Sequence, residues 1–66
     1  MTDTEANGLE RLADGFAAQS RAFFASGEWC ERHHARVDAA LARGRAYAYL
    51  ECERLLREQL RAAGVE

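Results

Sequence analysis

Between Leu9 and Phe24 apolar residues return at helical spacing: Leu9, Leu12, Ala13, Phe16, Phe23 and Phe24 share one side of a helical projection, with Gln19 and Ser20 as polar intrusions. That spacing predicts an amphipathic helix over about residues 8–25. A longer run follows, in which Cys30, His34, Val37, Leu41, Ala48, Tyr49, Cys52, Leu55, Leu56, Leu60 and Ala63 cluster on one broad face. It predicts a second helix over about residues 28–63. Strand signals are absent, and a chain without proline that is rich in Ala, Leu, Arg and Glu prefers helix nearly throughout.

Punctuation sets the expected boundaries. Ser26-Gly27 is the strongest break, because glycine suits a left-handed position after a helix and serine can satisfy a nearby amide; a tight turn is expected at 26–27. Asn7 with Glu10 resembles a capping box opening helix 1, and Thr2 with Glu5 is a weaker alternative. Residues 1–7 are expected to fray, Glu28 and Glu31 to occupy the first turn of helix 2, and Gly64 to end it. Gly44 is expected to lie inside an unbroken helix, since Arg45-Ala46 offers no capping residue. The expected fold class is all-α: an antiparallel helical hairpin, residues 8–66, with a short first helix and a long second helix, completed as a bundle by oligomerisation.

The mismatch in length carries the expectation of a partner. A first helix of about 27 Å cannot cover a second of about 54 Å. Tyr49, Cys52, Leu55, Leu56 and Leu60 would be left without an intramolecular cover, and each exposed Leu forfeits about 1.5–3 kcal/mol. Beside that stripe, Trp29, Ala40, Gly44 and Tyr47 are expected to form a second strip, small residues flanked by aromatics, suited to docking another helix. Together these nine residues are the expected interaction surface. A homodimer, as a four-helix bundle, is the simplest closed solution, with a different helical protein as the other choice of partner. In size and layout the chain resembles small helical-hairpin dimers of plasmid copy-number control and the little helical co-chaperones of bacterial secretion systems. The likeness implies completion by another chain.

Composition narrows this picture. A chain of 66 residues buries only about 60% of its unfolded surface, so it needs a staple or an associate. On one continuous helix Cys30 and Cys52 would stand about 33 Å apart, beyond disulfide reach, and a reducing, cytoplasmic setting with free thiols is expected. Charged residues interrupt every apolar stretch, so neither a signal peptide nor a membrane span is expected. The net charge of −2 divides into −4 for residues 1–31 (six acids, two Arg) and +2 for residues 32–66 (seven Arg, five acids). Every basic residue is Arg, a usage that fits a GC-rich bacterial genome as readily as a function.

Chemistry-bearing residues concentrate at Cys30-Glu31-Arg32-His33-His34. Cys30, His34 and Asp38 recur every four residues, and Glu31 with His34 has the Glu-x-x-His spacing of carboxylate metal sites on bundle helices. Two chains could combine Cys30 and His34 around zinc. The plainer reading is a small apolar thiol and a hydrogen-bonded bundle histidine, and no cofactor is expected. Cys30 and His34 lack the oriented third group and oxyanion donors of nucleophilic catalysis, so an enzyme is not expected. Arg32, Arg36, Arg43 and Arg45 form the most basic stretch, and with nearby aromatics would serve RNA or DNA binding. The expected function is a non-enzymatic protein–protein interaction module: an adaptor, small chaperone or assembly subunit. A small nucleic-acid-binding regulator is the alternative, and a metal-binding helical oligomer the third.

Overall fold

A computed structural model describes residues 2–64. It has two helices, α1 (Asp3–Arg32) and α2 (Arg36–Ala62), folded back on each other as an antiparallel hairpin. The all-α hairpin is as expected, but the two arms differ from expectation. With 30 residues in α1 and 27 in α2, the arms are near equals, about 45 and 40 Å long. Unequal arm lengths therefore do not leave the second half uncovered, and its exposure has another cause.

The reason is Gly27, which does not turn the chain. It stays inside α1 and is buried, and a Cβ there would sit 3.1 Å from Arg43 Cγ, 3.5 Å from the Ala39 carbonyl oxygen and 3.7 Å from Ala42 Cβ. Its missing side chain serves close approach of the second helix rather than a left-handed stop. Glu28 and Glu31 consequently lie near the C-terminus of α1, where the dipole disfavours acids, and Glu31 is compensated by an ion pair with Arg43 across the hairpin.

The chain reverses at His33–Ala35, without glycine or proline. His34 adopts φ 61°; its amide donates to the Glu31 carbonyl at 3.1 Å, and the Ala35 amide to the Cys30 carbonyl at 2.8 Å. These two bonds form a Schellman motif, with histidine in the left-handed position that glycine usually takes. At the other end of α1, Thr2 is the cap: its Oγ1 accepts from the Glu5 amide at 3.1 Å. The expected start at Asn7 is overturned, and Asp3–Asn7 are helical because Ala6 packs against α2. Helix α2 has no side-chain cap at Ala35, runs through Gly44 unbroken as expected, and gives way to Gly64 at φ 80°.

A seven-residue repeat holds the arms together. The buried residues of α1 are Ala6, Ala13, Ser20 and Gly27, and in α2 Ala39, Ala46 and Leu60 follow the same interval, with Glu53 between. With these set as heptad position a, the register is pinned by Ser20, whose buried Oγ donates to the Ala46 carbonyl at 2.9 Å. A seam of small residues lets backbones approach closely, but it removes little apolar area from water. Leu60, 1% exposed, is the one large side chain fully buried among the described residues.

Candidate interaction face

The repeat divides the hairpin into two long faces. Positions d and g flank the seam on one side, and e and b on the other. Every cross-hairpin side-chain contact described below joins like to like.

On the d/g face, Phe16 and Phe23 both lie against Tyr49, with ring centroids 6.1 Å apart and tilted, and 5.7 Å apart and stacked. The Arg45 guanidinium covers the Phe23 ring at 5.8 Å. Glu5, Asp38 and Arg45 are the charged residues at these positions, and the adjoining c positions, including Trp29, Leu41 and Leu55, carry no charge. The aromatic d residues are only half-buried, while Leu12 is 48%, Leu41 55% and Leu55 48% exposed. Small a residues cause this: the seam closes before the larger flanking side chains can be enclosed.

The e/b face is tied by ion pairs, with Tyr47 61% and Leu50 44% exposed among them. Arg57 donates to Asp14 at 2.9 Å and to Glu53 at 2.9 Å, Arg43 pairs with Glu31, and Phe24 meets Tyr47 edge-on at 5.1 Å. The Asp14 carboxylate, then that of Glu53, raises Arg57 above the ordinary arginine value. Along the outer surface Arg54 bridges Glu51 and Glu58; its hydrogen bond to Glu51 lowers that carboxyl and raises the guanidinium.

The nine expected interaction residues are distributed unevenly over this frame. Tyr49, Cys52, Leu55 and Leu56 come together on the d/g face and its rim, Cys52 with an exposed side chain. Leu60 is enclosed in the seam and offers no surface. The strip expected from Trp29, Ala40, Gly44 and Tyr47 does not form, because the reversal puts Trp29 on α1. There Trp29 stacks on His33 at 3.8 Å, and His33 Nδ1 donates to the Trp29 carbonyl oxygen at 2.8 Å. Ala40 and Gly44 are exposed, and a Cβ at Gly44 would meet nothing within 4 Å. Leu12, Phe16, Phe23 and Leu41 belong to the face as well, beyond the nine residues expected from the sequence; the phase of the Ala6-Ala13-Ser20-Gly27 repeat is the signal that places them.

The other expected sites are dispersed. The stripe of Cys30, His34 and Asp38 is broken by the reversal between helices, and Glu31 is taken by Arg43. Among the described residues no three His, Cys, Asp or Glu side chains are grouped to hold a metal. Cys30 and Cys52 fall on different helices with free thiols, about 24 Å apart along the hairpin. Arg36 and Arg43 share the e positions of α2, whereas Arg32 lies on α1 and Arg45 on the d/g face; Arg43 is paired and Arg45 covers Phe23. A shallow cleft of about 370 Å³ at the reversal, lined by Glu31, His34, Arg36, Ala39, Ala40 and Arg43, is crossed by the Glu31–Arg43 pair. No described helix is long and apolar enough to cross a membrane. Compared with protein-family models, curated proteins and solved structures, the chain matches none.

Proposed function

We propose that this chain is a non-enzymatic protein–protein interaction module, an adaptor, small chaperone or assembly subunit that works as a helical oligomer in a reducing, cytoplasmic setting. The observation that carries the reading is the half-open d/g face. Leu12, Leu41 and Leu55 are each about half exposed beside Phe16, Phe23 and Tyr49, on a hairpin whose seam buries mostly methyl groups. Half-exposed leucines forfeit a good part of the roughly 1.5–3 kcal/mol each would gain on burial, and a two-helix chain has little else to set against its conformational entropy. Covering that face recovers the loss.

The setting is supported by two thiols that lie too far apart to bridge within one chain. Nucleic-acid binding has less support, because only Arg36 and Arg43 of the arginines of residues 32–45 share a face, and Arg43 and Arg45 are engaged. Sedimentation velocity of tag-free protein at micromolar concentration tests the reading. A mass above the 7.4 kDa of one chain is expected; a stably folded monomer at every concentration contradicts it.

A further inference from the structure

We infer that the d/g face is the contact between two copies of this chain, paired face to face as a four-helix bundle; the inference rests on the interaction reading above and names its partner and its surface. Three observations converge on a second copy rather than another protein. The first is area. The hairpin extends 48 × 16 Å in its two longer directions, a face of roughly 770 Å² before side chains are added, against the ~800 Å² per partner of a standard stable interface. A second copy presents a face of the same length and width.

The second is charge. In a two-fold contact residue i meets residue j and j meets i, so charges enclosed there cost free energy unless each finds an opposite partner, and those near the axis meet their own copies. A face able to pair with itself has few of them, and Glu5, Asp38 and Arg45 are all that the d and g positions carry. Arg45 is drawn over the Phe23 ring, which shields its charge from a facing copy. The opposite face, with Asp14, Glu31, Arg43 and Arg57 already paired within the hairpin, would have to break those pairs or bury them.

The third is relief. Gly15 and Ala22 leave a gap between Leu12 and Trp29 on α1, and Ala48 leaves one between Leu41 and Leu55 on α2, so the same surface presents both projections and gaps. A two-fold contact requires that self-complementarity, and four-helix bundles pack through alternation of large and small residues.

Sedimentation velocity of paired variants tests the assignment. Leu12→Glu or Leu55→Glu is expected to weaken self-association at least a hundredfold, while Leu50→Glu on the e/b face changes it less than threefold. The reverse ranking would overturn the assignment and leave the interaction reading standing; a folded monomeric wild type would overturn both. Because a monomeric variant can also unfold, Cys52 alkylation in the unaltered chain gives a second readout. Its rate is expected to fall at least tenfold as protein concentration crosses the dissociation constant. Association with no protection of Cys52 would show that another face is used.

Discussion

Arg57 reaches Asp14 and Arg43 reaches Glu31 across the e/b face, whereas on the d/g face Phe16 and Phe23 lean on Tyr49 and, among the described residues, no ion pair crosses. Both faces come from the same two helices and flank the same seam, so propensity and backbone geometry are not what separates them. The difference is what each does with water. Charged side chains on one face keep it solvated and tie the arms together, each exposed pair contributing little. The other presents half-buried aromatics beside exposed leucines, apolar surface whose burial by another surface would be favourable.

Enlarging the seam should disturb the comparison most. Ala13 is fully buried, so Ala13→Leu is expected to force the helices apart and lower unfolding stability by about 3 kcal/mol, read from the denaturant midpoint. Ala18→Leu, at an exposed position of the same helix, should change it by under ~0.5 kcal/mol. Equal effects at both positions would mean that the seam is not closely packed.

Two glycines sharpen the point. Gly44→Ala meets nothing within 4 Å and should stabilise by about 1 kcal/mol through helix propensity alone. Gly27→Ala gains the same propensity, but its methyl would crowd Arg43 Cγ at 3.1 Å, so its thermal midpoint is expected to stay below that of Gly44→Ala. At the reversal, His34→Gly removes a Cβ from the left-handed region and should stabilise by about 1 kcal/mol. A loss on that substitution would mean that the imidazole makes a contact worth more than the strain.

The smallest effect belongs to the charged surface. Glu51 is held below the ordinary glutamate value by Arg54, so its contribution to stability is present above the unfolded value and lost as pH falls through the lower, folded one. Its NMR titration midpoint is expected to return toward the ordinary value in Arg54→Gln. An unchanged midpoint would remove Arg54 as the cause.

Helical content and the hairpin were legible in the sequence, because proline is absent and apolar spacing persists over both halves. The turn was not. Glycine carries two meanings, a left-handed stop and a close contact, and Gly27 alone does not say which; the repeat through Ala6, Ala13 and Ser20 does. His33-His34-Ala35 has none of the residues that advertise a reversal, since its Schellman bonds come from the backbone. Moving the turn split the candidate metal stripe and separated Trp29 from Tyr47. Tyr49, Cys52, Leu55 and Leu56 kept their grouping because they share α2 whichever end the turn takes. Half of the candidate face, Leu12, Phe16 and Phe23, is not legible from apolar spacing, which does not say whether large or small residues fill the seam. Here alanine, serine and glycine fill it.

The concentration dependence of thermal unfolding, followed by circular dichroism on the unaltered chain, tests most directly whether this thin seam leaves folding reliant on association. The midpoint is expected to fall with each tenfold dilution from high to low micromolar protein, as mass action requires when the folded state is an oligomer. A cooperative transition at one temperature across that range, from a species of 7.4 kDa, would contradict the account.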